Sequence, residues 1–279
     1  HCRDARRHGA RSAGCTRHRD TRAHGHRRHP VRRACGRRRR GDPHVAHRLV
    51  AAREAGHGVV GVLAAMGSTT SELLELARDV SPRPHERELD MLVSVGERAS
   101  CALTAMAIVD LGHDAVSLTG SQEGIVTDAA HGQARIVEVR PRRVQEALER
   151  GAIVLVAAFQ GVSTDSEVTT LGRGGRDATA VALAAALDAD ACELLEDVDG
   201  IRSAPPGIVP SARTLPVVSH DELLELGPSG DAVVQLRSVE CPGTTGSRCT
   251  CARRDPPTRA PGSCRRRIGG CSNGRSSPA

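Results

Sequence analysis

The sequence predicts an α/β fold with a mostly parallel sheet covered by helices on both faces. Three observations carry that expectation. Short apolar segments of strand length alternate along the chain with longer segments of helical periodicity, the order a parallel sheet requires. The run Ala152 to Phe159 is continuously apolar, as a strand buried on both faces must be. Several apolar segments end in glycine-rich or hydroxyl-rich turns, so ligands are expected along one sheet edge, beyond the strand C-termini.

The formal charge of +6 over 279 residues conceals three unlike parts. Residues 1–43 carry fifteen arginines against three aspartates, residues 241–279 carry eight against one, and residues 44–240 are acidic at −13. Eight of the ten cysteines lie in the two basic tails. The tails lack periodicity and the apolar residues for a core, so both are expected to be extended. Their Arg, Pro, Cys and Gly content, in a chain without a single lysine, has the character of GC-rich DNA read out of frame.

Several function classes fall away on this composition. Basic tails suit nucleic acid through counterion release, but Phe159 is the only aromatic and no binding module is recognisable, so nucleic acid is not the expected partner. Cys249, Cys251, Cys264 and Cys271 lack the paired spacing of a zinc site, and no protein-held metal is expected. No apolar run approaches the roughly 20 residues of a membrane helix. Only Cys101 and Cys192 lie in the middle, which fits a cytoplasmic protein without a disulfide framework.

From residue 44 the elements follow in order. Val45 to Ala55 reads as an amphipathic helix closed by Gly56, and Gly58 to Ala65 as a strand. The polar turn Met66-Gly-Ser-Thr-Thr70 leads into a helix over Ser71 to Val80, with Thr69 and Glu72 at capping-box spacing. These hydroxyls cap the helix, and Thr70 is also the candidate to touch a ligand. Glu86 to Leu111 reads as one long helix or two, and so apolar a helix makes Gly96-Glu97-Arg98 conspicuous. Spacing alone favours a structural ion pair there. Asp114 to Leu118 and Ile136 to Val139 are strands, and Pro141 opens a helix running to Arg150.

The strand at 152–159 leads to the glycine loop Val168-Thr-Thr-Leu-Gly-Arg-Gly-Gly175 and a helix over Asp177 to Leu187, whose N-terminus suits an anion. Ala191 to Leu195 is a strand ending in Glu196-Asp197-Val-Asp199-Gly200. Carboxylates at that edge hold a Mg²⁺–phosphate or a ribose hydroxyl, although Asp-Gly is also an ordinary turn pair. Ser219 to Leu226 is a last short helix.

Taken together, Ala65-Met-Gly-Ser-Thr-Thr70, Gly96-Glu-Arg98, Thr119-Gly-Ser-Gln122, Phe159-Gln-Gly161, Val168 to Gly175 and Asp197-Val-Asp-Gly-Ile201 resemble the catalytic domain of bacterial aspartokinases, in the amino-acid-kinase superfamily. The resemblance covers residues 44–240 in unbroken order. It implies a three-layer α/β/α sandwich and transfer of the γ-phosphoryl group of ATP, with Mg²⁺, to the side-chain carboxylate of L-aspartate. It places Thr70, Glu97, Arg173, Gly174 and Gly175 at the aspartate site, with Glu97 receiving the ammonium and Arg173 a carboxylate. Asp197, Asp199 and Gly200 fall on the nucleotide side. The family is often oligomeric.

The departures lie on the ATP side. The family's first strand ends Lys-Phe/Tyr-Gly-Gly, and its lysine steadies the moving phosphoryl group, yet this chain has no lysine. Arg176 stands where the family has Ser, Glu196 replaces a Ser or Thr, and the nucleotide turn reads Pro205-Pro206-Gly207. The regulatory ACT domains that follow in the family have no counterpart in residues 241–279. Aspartate kinase is therefore the expected function, with an inactive remnant that binds aspartate as the alternative and a basic-tailed nucleic-acid binder as a further one. If the tails are frame-shifted, another frame of the DNA for residues 1–43 is expected to encode a strand ending in the lysine motif. Resequencing the gene checks this, and absence of the motif from both other frames makes the tail genuine.

Overall fold

The computed structural model describes residues 12–16, 43–172, 174–196, 200–204, 207–215, 217–219, 222–223, 225 and 249–253. In chain order the elements are β1 (Ser12–Thr16), α1 (Pro43–Glu54), β2 (Val60–Leu63), α2 (Thr69–Val80), α3 (Glu86–Val93), α4 (Val95–Asp110), β3 (Ala115–Leu118), α5 (Gly120–Glu123), β4 (Ile125–Thr127), β5 (Ile136–Val139), α6 (Arg142–Glu149), β6 (Ile153–Ala157), β7 (Gln160–Ser163), β8 (Val168–Thr170), α7 (Gly175–Ala186), β9 (Ala191–Glu196) and β10 (Cys249–Arg253). Half of the last helix expected, Ser219 to Leu226, falls outside the described residues, and Glu222, Leu223 and Glu225 are helical.

The period-2 alternation of strand side chains builds the three layers. On β6, Ile153, Leu155 and Ala157 pack against Leu49 and Val50 of α1 and Ile108 of α4. The intervening Val154 and Val156 turn to the other face and meet Val144 of α6 and Val181 and Leu183 of α7. On β2, Val60 and Val62 join the second cluster while Leu63 joins the first. A strand buried on both faces must be apolar throughout, which is why 152–159 reads so plainly.

The main sheet has the order β10-β9-β1-β2-β6-β3. Strands β2 and β3 both run parallel to β6, and β9 runs parallel to β10. A second, four-stranded sheet of order β5-β4-β7-β8 stands beside it. The sequence reading marks only one of its strands, Ile136–Val139; the other three are short segments of three or four residues within turns and the glycine loop.

Two segments of the tails depart from the extended chain expected of them. Ser12–Thr16 lies between β2 and β9, antiparallel to both, and Cys249–Arg253 pairs with the outer side of β9. Unpaired backbone donors and acceptors at a sheet gap accept any segment able to extend, since backbone pairing is indifferent to side chains. The remainder of both tails lies outside the described residues.

Helices α3 and α4 also correct an expectation. Together they span Glu86–Asp110, 25 residues with mean hydropathy 1.4 in their most apolar window, long and apolar enough by composition to cross a membrane. The run is nevertheless jointed at Ser94, and its buried face holds Asp90 and Glu97. Helix α4 packs on α1, β2, β3 and β6 through a face that buries Cys101 and Ile108, while Val95, Leu103, Met106 and Val109 on its other side are exposed.

One glycine fixes the entry to the second sheet. Gly124 ends α5 with φ of 86°, and a Cβ there would lie 2.0 Å from the Arg140 carbonyl oxygen. Gly124→Ala combines a left-handed backbone with that collision. It is expected to lower the unfolding free energy by roughly 3 kcal/mol or more, read from the shift of the urea midpoint at unchanged slope.

Candidate active site

Because β1 runs antiparallel to both β2 and β9, those two strands share a direction, and β2, β3, β6 and β9 all end at the same edge. Beyond these ends lie the turn from Ala65 to Thr70, the short helix α5, Phe159 with Gln160, and Gly200. This is the edge where an open α/β sheet gathers its ligands. Gly200 is buried with φ of 126°, a conformation that favours glycine. Asp197, Asp199 and Arg173 lie outside the described residues.

Glu97 sits in the first turn of α4 and is only 3% exposed. Close packing brings it to the edge: a Cβ on the neighbouring Gly96 would lie 2.8 Å from the Ala65 Cβ, so only glycine lets α4 approach the end of β2. The Ala65 N–H donates to Glu97 Oε1 at 3.2 Å, and Oε2 has no partner among the described residues. Burial pushes the Glu97 carboxyl up to about 7; its own backbone N–H, that of Ala65 and the Arg176 and Arg98 guanidinium groups oppose the shift. A buried carboxyl with one oxygen unpartnered among the described residues has the capacity to accept a further donor or a cation.

The ion pair that spacing suggested is absent among the described residues. Arg98 Nε donates instead to Gln160 Oε1 at 3.0 Å, and Gln160 Nε2 donates to the Ser94 carbonyl at 3.1 Å. Successive helical residues point in different directions, so Arg98 faces β7 while Glu97 faces β2. The capping box expected of Thr69 and Glu72 does not form, and the N-cap of α2 makes no side-chain bond to the helix backbone. Ser68, not Thr69, is the N-cap of α2, and its hydroxyl donates to Glu72 Oε1 at 2.5 Å. Thr69 donates back to the Met66 carbonyl at 2.7 Å. Thr70, in the first turn of α2, is half-buried and adjoins the Gly96–Ala65 contact through Thr69.

The glycine loop adjoins the same edge through Phe159, whose ring lies 3.2 Å from where a Gly175 Cβ would be. Gly172 and Gly174 have φ of 66° and 82°, and Gly174 is the N-cap of α7. Helix α7 starts at Gly175, two residues ahead of the expected Asp177, because the Gly174 carbonyl already accepts from Asp177 and Ala178 at 3.1 and 3.2 Å. The Gly175 N–H donates to the Gly172 carbonyl at 3.1 Å. Its role in this state is therefore close packing: a Cβ there would sit 2.4 Å from the Leu171 Cβ and 3.2 Å from the Phe159 ring. Phe159 itself has φ of 68°, held by its N–H on Thr179 Oγ1 and its carbonyl on the Leu171 N–H. Such strain in a bulky residue marks a place where the surroundings over-determine the backbone.

Sequence reasoning missed Glu123. It is fully buried at the end of α5, and neither carboxyl oxygen has a partner among the described residues. Burial alone holds its carboxyl well above the ordinary 4.5. The nearby Cys101 thiol is pushed up as well, first by burial and then by Glu123 and Glu97. A raised carboxyl keeps its proton in the folded state after the unfolded chain has lost it, so stability falls as pH rises above 4.5. Glu123→Met is expected to flatten that fall and to stabilise the chain at pH 8 by about 1–3 kcal/mol. Thermal melts of both proteins from pH 5 to 8 check it.

A mostly parallel sheet between helical layers, with a buried carboxyl and a glycine loop converging on its C-terminal edge, defines an α/β domain built to hold a small ligand there. The chain belongs to the amino acid kinase family, whose sequence profile matches residues 39–241. It is 59% identical over 197 residues to the aspartokinase of Mycolicibacterium smegmatis, a match covering 70% of this chain and 47% of that protein. The chain thus spans about half the length of the curated relatives it matches. Among solved structures, the aspartate kinase from Synechocystis superimposes with a TM-score of 0.69 at 36% identity, covering 82% of this chain and 37% of that one. E. coli aspartokinase III, solved in complex with aspartate and ADP, shares the fold with a TM-score of 0.65 at 21% identity, over 75% of this chain and 57% of its own.

Proposed function

We propose that residues 44–240 are the catalytic domain of an aspartate kinase, serving the synthesis of lysine, threonine and methionine in the cytoplasm. The observation that carries this reading is the buried Glu97, whose Oε1 accepts from Ala65 beyond the end of β2 and whose Oε2 lacks a partner among the described residues. An α-ammonium group fits that oxygen. The aspartokinase relatives, and the aspartate and ADP held by E. coli aspartokinase III, support the choice of ligands.

In this reading Glu97 takes the ammonium of L-aspartate, Thr70 lies beside it, and Arg173 takes a carboxylate as a fork. Gly174 and Gly175 bring the loop backbone close to the substrate, while Asp197, Asp199 and Gly200 face the nucleotide. The side-chain carboxylate of aspartate attacks the γ-phosphorus of ATP, the bond to ADP breaks, and 4-phospho-L-aspartate leaves. The attacking group is already an anion, so the protein needs no general base and acts by positioning and charge neutralisation. Mg²⁺ supplies part of that neutralisation when bound with the nucleotide. The phosphates of the nucleotide would carry that ion, as they usually do for Mg²⁺.

Isothermal titration with L-aspartate tests the site. Saturable heat is expected from the chain, and little or none from Glu97→Ala. A chain that takes up no aspartate would sink the reading.

A further inference from the structure

Asp90 lies on α3, and its carboxylate is buried at 2% exposure. It accepts hydrogen bonds from three groups on two segments: the Gly132 N–H at 3.0 and 3.1 Å and His131 Nδ1–H at 2.8 Å in one turn, and the Thr170 hydroxyl on β8. A buried carboxylate needs such donors, and donors on separate segments are in turn locked together by it.

Those segments form the wall behind the glycine loop. Thr170 ends β8, two residues before Gly172, and its carbonyl accepts from the Ala134 N–H at 2.9 Å. The 131–133 turn leans on the loop itself, since the Gly132 carbonyl oxygen is 3.0 Å from where a Gly172 Cβ would be. In the other direction, the run holding Asp90 continues through Ser94, fastened to Gln160, into the first turn of α4 and Glu97.

We propose that Asp90 is a positioning residue that ties the Glu97 helix to the glycine loop and so sets the spacing between the two halves of the site. Its consequence for aspartate rests on the reading of the site given above, whereas the tie between helix and loop does not.

Asp90→Asn in the full chain tests both parts. The amide keeps the volume but sets an NH₂ group against donors that require an oxygen. Amide hydrogen exchange at Gly175, Asp177 and Ala178 is expected to quicken at least tenfold while β2 and β6 are unchanged. The dissociation constant for L-aspartate is expected to rise at least tenfold, and that for MgADP to stay within twofold. Faster exchange throughout β2 and β6 would show a merely structural role, and unchanged loop exchange with unchanged aspartate affinity would overturn the proposal. If the unsubstituted chain takes up no aspartate, the functional reading fails and loop exchange alone still decides the positioning role. Should Asp90→Asn not fold, Thr170→Val and His131→Ala each remove one donor, and both are expected to quicken the same three amides. No change in either would overturn the proposal.

Discussion

Assayed for aspartyl phosphate as the hydroxamate, with MgATP and L-aspartate, this chain is expected to turn over at least about 10²–10³-fold below the roughly 10 s⁻¹ of a typical enzyme. The γ-phosphoryl group in flight spreads negative charge over three oxygens, and each cation placed against it is worth several kcal/mol. The resemblance to aspartokinases assigns that place to a lysine at the end of the first strand, and this chain has none. The fold adds a second reason. Thr16, the last residue of β1, pairs with Ala191 at the start of β9, so β1 delivers its C-terminal end to the edge away from the ligand. Arg176 stands near the site, but a planar guanidinium does not replace a compact ammonium. The aspartate half is untouched by these losses, so uptake of aspartate is expected to outlast turnover. A rate within tenfold of the typical value would refute the lysine argument.

The parts of this protein legible in its sequence are those where one local pattern governs. The strand at 153–157 was visible because both of its faces are buried, and α7 because a glycine loop precedes an alanine-rich run. Glu97 was conspicuous because a carboxylate in an apolar helix demands an explanation. Its partner was misjudged from spacing: Arg98 turns to Gln160, 62 residues away in the chain. The Asp90 tie is illegible in the sequence for the same reason, since its donors at 131, 132 and 170 are more than 40 residues distant. Glu123 is the harder case: Thr119 and Gln122 form a capping box and Gly124 closes the turn left-handed, but a helix of four residues has no periodicity to say which side chain is buried. Insertion of β1 antiparallel into the main sheet is a backbone event, and side-chain periodicity has no term for it.

Aspartate affinity is expected to depend on pH through Glu97, and that dependence separates an ammonium site from a structural carboxyl. In the free protein burial raises Glu97 to about 7. An ammonium ion binds the ionised form, so affinity should fall about tenfold for each pH unit below 7 and level off above it. The side chain of free aspartate titrates near 3.9 and contributes nothing to this slope above about pH 5.5. Stability carries the opposite sign. The folded state holds the Glu97 proton past the unfolded value of 4.5, so this contribution is present at low pH and lost as pH rises through about 7. Bound aspartate reverses that loss, because its ammonium replaces the missing partner of Oε2. Glu97→Gln keeps the volume and the acceptor for the Ala65 N–H but removes the charge, and should weaken aspartate by about 1.5–3 kcal/mol at pH 8. In that variant the affinity should be flat from pH 5.5 to 8. Titration calorimetry across that range reads both effects. A wild-type affinity that is itself flat would mean that Glu97 stays ionised without its ligand, or that the ammonium binds elsewhere. Either result would remove Glu97 from the centre of the site.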